Sequence, residues 1–156
     1  MAGRLRREIR QKKPFSSVQE EATLALMRTA DLVALPVAEV LRDAKLSPSQ
    51  YNVLRILRGS AGQGLPCGEI SERMIRRDPD LTRLLDRLEA RDLVTRARGA
   101  ADRRVVLSAI TEEGLALLAE LDEPMEARVR ERLAHVPVSR LRDLIGLLEE
   151  VRAENE

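Results

Sequence analysis

Residues 78–109 read DPDLTRLLDRLEARDLVTRARGAADRRVVLSA, which combines a short amphipathic helix with a two-stranded ribbon. An aspartate followed by proline is typical of a helix start, because the Asp78 carboxylate can accept from the first free amides and Pro79 needs no amide partner. We therefore predict a helix that begins at Pro79. Its leucines recur at i, i+3, i+4 and i+7, which places all of them on one apolar stripe. These leucines are Leu81, Leu84, Leu85 and Leu88.

The polar face of this helix carries the candidate base-reading side chains. They are Thr82, Arg83, Asp86 and Arg87. Bases are read in the major groove by side chains near the start of a recognition helix, and arginine is the commonest residue that contacts guanine there. The alternative for the helix alone is an ordinary solvated face. For Asp86 and Arg87 a second alternative is a salt bridge within the protein.

A β-hairpin is predicted directly after the helix. Residues 93–98 and 104–110 favour strands, and the polar residues 99–103 between them include a glycine. The ribbon carries three arginines that can reach phosphates or enter a narrow minor groove: Arg98, Arg103 and Arg104. Asp102 is expected either to order the turn or to pair with Arg104. A helix followed at once by such a ribbon is the winged-helix arrangement.

Two further basic segments flank this unit. Arg76 and Arg77 lie in the predicted turn before the helix, where we expect them to approach the DNA backbone. Residues 1–13 carry six basic side chains and one acidic one, without apolar periodicity, and are predicted to form an arm that is mobile unless it contacts another surface. The arm either contacts phosphates beside the binding site or is a solvated tail.

The charge of the chain is segregated, although its net value is only +1. Residues 73–104 carry ten basic and six acidic side chains, whereas residues 111–156 carry six basic and twelve acidic ones. This division would orient the protein on a polyanion, with the acidic end turned away. Trp is absent and Tyr51 and Phe15 are the only aromatic residues, so the stacking surfaces of single-strand binders are missing. Duplex DNA is the nucleic acid that this composition favours.

Several other classes of protein are disfavoured. The single Cys67 and single His135 provide neither a disulfide nor a zinc site, and we expect no cofactor. We interpret Cys67 as structural rather than as a redox sensor. No Ser-His-Asp set or glycine-rich phosphate loop is present, so the chain is not predicted to be an enzyme. The longest apolar stretch, residues 32–38, is too short to cross a bilayer, and we expect a cytoplasmic protein without a membrane partner.

Long amphipathic helices are predicted on both sides of the winged helix. The first runs from Ser16 or Ser17 to Leu41, and Pro36 is expected to cause a bend near Leu32 or Val33 rather than a stop. A short helix follows the capping box that begins at Ser47, and Thr111 caps the first of two final helices. The apolar stripes of the long helices are too extensive for a small lobe to cover, so we predict a two-fold homodimer. We place its interface on residues 16–42, 112–134 and 138–152.

The predicted organisation has four parts. A basic arm occupies residues 1–15, an N-terminal dimerisation helix residues 16–46, a winged helix-turn-helix DNA-binding lobe residues 47–110, and C-terminal dimerisation helices residues 111–156. The predicted fold class is mainly α with a small β-wing.

Four segments together resemble the multiple-antibiotic-resistance regulator (MarR) family of bacterial transcription factors. The segments are residues 82–89, 93–94, 102–104 and 111–114. The resemblance covers roughly residues 18–151 and is strongest over residues 70–114. It implies that Thr82 and Arg83 enter the major groove, and that Asp102 and Arg104 organise a minor-groove contact. Asp92 departs from the family pattern, which usually has glycine there, but aspartate tolerates a left-handed conformation.

The resemblance also implies a function. It indicates a homodimeric repressor that binds an inverted repeat in double-stranded DNA. It further implies release by a small aromatic or phenolic effector, held in a cleft between the first helix, the helix of residues 47–58 and the helix after Thr111. The alternative is a winged-helix dimerisation or protein-interaction module that does not bind DNA.

Overall fold

Ten secondary-structure elements are present in a computed structural model that describes residues 3–60, 62–100 and 102–153. They are α1 Arg4–Glu8, α2 Val18–Asp43, α3 Pro48–Gly59, β1 Leu65–Pro66, α4 Cys67–Arg73, α5 Leu81–Glu89, β2 Val94–Arg98, β3 Val106–Ile110, α6 Glu112–Leu133 and α7 Val138–Ala153. The strands form one antiparallel sheet in the order β1-β3-β2. This mainly helical architecture with a small β-wing confirms the predicted winged helix-turn-helix fold. Parts of four predictions lie outside the described residues: the arm at Met1 and Ala2, the winged-helix lobe at Ala61, the hairpin turn at Ala101 and the C-terminal dimerisation segment at residues 154–156.

The long N-terminal helix begins where the sequence predicts. The Ser17 hydroxyl accepts a hydrogen bond from the Glu20 amide at 3.1 Å, and α2 continues through Pro36 without a stop. It ends at Asp43, beyond the predicted end at Leu41. Lys45 takes a φ of 54°, which lets the Leu46 amide donate to the Leu41 carbonyl at 2.9 Å. This bond is typical of a Schellman ending, in which the residue with positive φ is usually glycine.

The N-terminal arm contains a short helix, Arg4–Glu8, which the sequence pattern did not predict. An ion pair between Arg4 and Glu8 spans one turn of α1, and a second pair joins Glu8 to Arg28 of α2 at 3.2 Å. Hydrogen bonds from Arg4, and then from Arg28, lower the pKa of Glu8. The arm therefore contacts α2 through the Glu8–Arg28 pair, and Ile9 lies beside Leu24 and Met27 of α2.

Helix α5 packs as its leucine pattern predicts. Leu81, Leu84, Leu85 and Leu88 are all buried in the common core, together with Val53, Leu54 and Leu57 of α3. The predicted capping box of α3 is present, with Ser47 and Gln50 each accepting from the other's backbone amide. Strand β1 adds Leu65 and Pro66 to the edge of the sheet opposite Ser108 and Leu107.

Two further predicted element boundaries are wrong by two residues. Helix α5 begins at Leu81 rather than Pro79, because the Asp78 carboxylate accepts from the Asp80 amide at 3.0 Å and forms a local turn. Strand β3 begins at Val106 rather than Arg104, because the Val105 amide donates to the Asp102 carbonyl at 3.1 Å within the wing turn. Both differences arise from side-chain and turn hydrogen bonds that compete with the regular element.

Helix α6 is joined tightly to the wing. The Thr111 hydroxyl accepts from the Gly114 amide at 3.0 Å, as its predicted capping role requires, and donates to the Asp92 carbonyl at 2.6 Å. A Cβ at Gly114 would lie 2.7 Å from Ile110 Cγ1 and would also collide with the Leu93 carbonyl oxygen. Only glycine allows α6 to approach the sheet this closely.

The outer helices leave much apolar surface uncovered. Among the described residues, α7 contains no buried side chain and α2 buries only Leu41. The exposed apolar residues of α2 and α7 include Val18, Met27, Leu35, Val138, Leu144, Ile145 and Leu147. Within the described ranges, every helix is too short or too polar to span a bilayer.

Candidate nucleic-acid interface

The polar face of α5 is turned outward by its buried leucine stripe. All four predicted base-reading residues are exposed: Thr82, Arg83, Asp86 and Arg87. Arg83 pairs weakly with Asp80, at 3.5 Å, and 73% of its side chain remains exposed. Such a surface pair contributes little to stability, so the guanidinium can reorient toward a ligand.

Asp86 is held by an arginine of the wing rather than by its neighbour Arg87. The Arg96 guanidinium donates from Nη2 to Asp86 at 2.6 Å, and from Nη2 and Nε to Glu89 at 2.6 and 2.8 Å. The hydrogen bond to Glu89, and then that to Asp86, raise the pKa of Arg96. Any contact between Asp86 and a base would have to compete with this ion pair.

Sequence reasoning missed the role of Arg96, although a signal was present. Side chains alternate between the two faces of a strand, so Arg96 shares a face with Val94, which is buried against the core. This alternation turns Arg96 toward α5 and turns Thr95 and Ala97 the other way. Arg98 lies on the same face of the strand but is exposed, so alternation predicts the direction of Arg96 and only the structure separates the two arginines.

The wing turn is ordered by Asp102. Its carboxylate accepts from the backbone amide of Arg104 at 2.8 Å, which corresponds to the first of the two predicted roles. The Gly99 amide donates to the Val105 carbonyl at 2.9 Å and closes the base of the turn. Asp102, Arg103 and Arg104 are exposed at the tip, and Arg98 is exposed on β2.

The turn between α4 and α5 is anchored to α3. The Asn52 side-chain oxygen accepts from the Ile75 amide at 2.9 Å, while Ile75 itself is 88% exposed. Arg76 and Arg77, which follow, are also exposed. The structure therefore presents all ten predicted contact residues at the surface, on three segments of one lobe: the turn before α5, α5 itself and the wing.

Two polar contacts fasten this lobe to the long helices, and the sequence did not indicate either. Arg91, just after α5, donates to the carbonyls of Ala44 and Lys45 at 3.1 and 2.8 Å, at the end of α2. Arg58 of α3 donates hydrogen bonds from both terminal nitrogens to the Asp122 carboxylate of α6, at 2.8 and 3.1 Å. The hydrogen bond to Asp122 is the main cause that raises the pKa of Arg58. These contacts connect the end of α2 to the residues after α5, and α6 to α3.

An open cavity of about 610 Å³ lies between α2 and α6. Its lining comprises Glu39, Val40, Asp43, Ala44, Leu117, Glu120, Leu121, Pro124 and Arg128. Both helices expected to border an effector cleft are represented, whereas α3, expected as a third wall, contributes no lining residue. Cys67 is exposed, and no group of metal-binding side chains is found among the residues that the structure describes.

Comparison with known proteins identifies the family. The sequence profile of the MarR family matches residues 46–106, which include α3, the recognition helix and most of the wing. A solved MarR transcription factor from Planctomyces limnophilus is 40% identical, with 87% of this chain and 98% of that one covered and a TM-score of 0.67.

Two further transcriptional regulators are similar to this chain. The transcriptional repressor CouR, solved bound to a 23-mer DNA duplex, is 29% identical with a TM-score of 0.73 and a coverage of 90% of this chain and 99% of that one. The regulator MhqR of Bacillus subtilis is 29% identical over 89 residues, which span 57% of this chain and 60% of that regulator. With its buried leucine stripe, exposed arginines and arginine-tipped wing, this chain belongs to the MarR family of winged helix-turn-helix transcriptional regulators.

Proposed function

We propose that two copies of this regulator bind one inverted repeat in duplex DNA and repress transcription there. The observation that carries the proposal is the burial of the α5 leucines, which leaves Thr82, Arg83 and Arg87 exposed on the helix that Arg96 joins to the wing. These three side chains would read base edges in the major groove. Asp86 would contribute mainly through its pair with Arg96.

The remaining basic residues would position the protein on the DNA backbone. Arg76 and Arg77 lie at the turn before the helix, and Arg98, Arg103 and Arg104 lie on the wing. Guanidinium contacts with phosphates fix the register and orientation of the protein on DNA without reading the sequence. A guanidinium group inserted into a narrow minor groove adds recognition of the groove's shape. Asp102 would support this role by keeping the wing turn in the conformation that exposes Arg104.

A homodimer is proposed because the helices outside the lobe lack a cover. The exposed apolar residues of α2 and α7 would be buried against the same surfaces of a second copy. Two recognition helices must then meet successive major grooves about 34 Å apart, which is one turn of the duplex. The spacing between the lobes would therefore control affinity.

A small phenolic compound is proposed as the effector. Val40, Leu117, Leu121 and Pro124 would contact an aromatic ring in the cavity between α2 and α6, while the carboxylates of Glu39, Asp43 and Glu120 could accept from a phenolic hydroxyl. CouR from Rhodococcus jostii RHA1 has been solved bound to p-coumaroyl-CoA, which contains a phenol ring. That complex supports the proposal of an aromatic ligand for this chain. Binding would release DNA if the ligand prefers one spacing of the lobes.

Selection of bound duplexes from a random pool tests the proposed DNA function. We expect enrichment of an inverted repeat, with affinity that falls steeply as the salt concentration rises because phosphate contacts release counterions. If no duplex is enriched at low salt, the alternative of an interaction module without DNA binding is favoured instead.

Two variants separate base reading from backbone contact. Arg83→Ala should weaken the selected duplex by about 1–3 kcal/mol and relax the preference at one base position. Arg104→Ala should weaken selected and unrelated duplexes more evenly. An Arg83→Ala protein that ranks all duplexes as the parent does would show that another residue reads the bases.

The effector proposal is tested with a panel of phenols and matched benzoates. Because the three carboxylates of the cavity lining outnumber its one cation, Arg128, simple phenols should raise the melting temperature and release the selected duplex at lower concentration than benzoates do. The variant Glu120→Lys, at an exposed carboxylate of the cavity lining, should remove this preference for phenols. Equal responses of parent and variant would place the effector elsewhere.

A further inference from the structure

The ion-pair cluster of Arg96, Asp86 and Glu89 joins the two parts of the proposed reading surface. We propose that Arg96 is a specificity-determining positioning residue, which holds the recognition helix and the wing as one rigid unit. The inference rests on the proposed DNA-binding function and concerns how its selectivity arises. It assigns Arg96 a role through α5 rather than a contact with DNA.

The geometry allows Arg96 to act as a clamp between β2 and α5. Arg96 lies in the middle of β2, and its partners lie one turn apart on the last half of α5. A planar guanidinium offers several donors in a fixed fork, so it can bind two carboxylates at defined angles. Only 24% of the Arg96 side chain is exposed, which leaves little of it available to another partner. A lysine at this position would keep the charge but could not reproduce this fork.

The cluster also balances charge beside the DNA-facing surface. The side chains of Asp86 and Glu89 are 51% and 39% exposed, close to the arginines that would face phosphate. Without a partner, these carboxylates would repel the DNA backbone. Arg96 offsets part of that repulsion, so its loss should affect both overall affinity and the fit of helix and wing to successive grooves.

Lysine and glutamine substitutions distinguish these two effects. Arg96→Lys keeps the charge and loses the fork, whereas Arg96→Gln loses both. Arg98→Gln is the matched control, because it removes the same charge from the same strand at an exposed residue with no described side-chain pair. For each protein, the dissociation constants for the selected duplex and for a scrambled duplex are measured over a salt series, and folding is checked by thermal unfolding.

Selectivity is the deciding measurement. We expect Arg96→Lys to lower the ratio of scrambled to selected dissociation constants by about 10-fold, with a salt slope close to that of the parent. Arg98→Gln should reduce affinity for both duplexes by a similar factor and leave their ratio unchanged. An Arg96→Lys protein that retains the parent's ratio would overturn the positioning role.

A triple variant, Arg96→Gln with Asp86→Asn and Glu89→Gln, tests charge alone. This variant removes the Arg96 ion pairs together with the carboxylates that repel DNA. It should therefore bind both duplexes more tightly than Arg96→Gln does, but the ratio of scrambled to selected dissociation constants should stay below that of the parent. Recovery of the full ratio would overturn the proposal in favour of simple neutralisation. If Arg96→Gln fails to fold, Arg96→Lys and the triple variant still decide the question. Failure of the proposed function itself would appear earlier, as a parent protein that selects no duplex.

Discussion

Asp92 occupies a backbone conformation that few side chains accept, with a φ of 56° at the junction between α5 and the wing. The Leu93 amide donates to the Leu88 carbonyl at 3.1 Å around this residue, so the conformation ends the recognition helix. Replacing Asp92 with valine should lower the free energy of unfolding by about 1–2 kcal/mol, because a β-branched residue is strained there. Asp92→Gly should be as stable as the parent or slightly more so. Urea denaturation at one fixed protein concentration measures both.

The neighbouring Ala90 provides the control for this residue. It has an ordinary helical φ of −62° and is exposed, so Ala90→Val should change stability by no more than about 0.7 kcal/mol through helix propensity alone. Equal losses for the two valine variants would mean that the left-handed backbone of Asp92 is not the cause.

At the scale of elements, the contact between α6 and the wing depends on the absence of a side chain at Gly114. A Cβ there would press against the Ile110 side chain and the Leu93 carbonyl, and that carbonyl cannot retreat without moving the backbone beside the sheet. We expect Gly114→Ala to cost about 1–3 kcal/mol, as overpacked sites do, measured by thermal and urea unfolding. The wing would shift with α6, so DNA binding should fall as well.

A helical glycine with free space is the matched comparison. Nothing lies within 4 Å of a Cβ built at Gly68, in the first turn of α4. Gly68→Ala should leave stability unchanged or raise it by up to about 1 kcal/mol, because alanine loses less backbone entropy in a helix. A loss at Gly68 as large as that at Gly114 would contradict the steric explanation.

For the whole molecule, the proposed dimer predicts that charge on α7 separates the subunits. Ile145 is 55% exposed on a helix with no buried described residue, and burial against a second copy would remove it from water. Ile145→Glu should weaken dimerisation by at least about 100-fold, since burying an unpaired carboxylate costs several kcal/mol. Sedimentation velocity over a concentration series would show monomers, and affinity for the inverted repeat should fall with them.

The control is an equally apolar exposed residue on the DNA-binding lobe. Ile75 is 88% exposed in the turn before α5, away from the long helices. Ile75→Glu should remain dimeric at the concentrations that dissociate Ile145→Glu. Dissociation of both variants, or of neither, would place the interface on other surfaces.

Short-range rules determined much of this protein from sequence alone. The leucine spacing of residues 81–88 defined the buried face of α5 and therefore its outward arginines, because a helix repeats every 3.6 residues. Ser17, Ser47 and Thr111 cap the helices that they were predicted to cap, because each cap bond closes within three residues. Such local bonds depend little on the rest of the fold.

Only the tertiary structure decided which distant charges pair. Asp86 had Arg87 beside it in sequence, yet it binds Arg96 across the helix and strand junction, and Arg91 reaches the end of α2. A flexible charged side chain has many partners that are compatible with its sequence position. Packing of the leucine core brings only some of them within hydrogen-bond distance. It thereby selects the Arg96 ion pairs and the Arg91 hydrogen bonds, and the proposed DNA recognition depends on the Arg96 pairs.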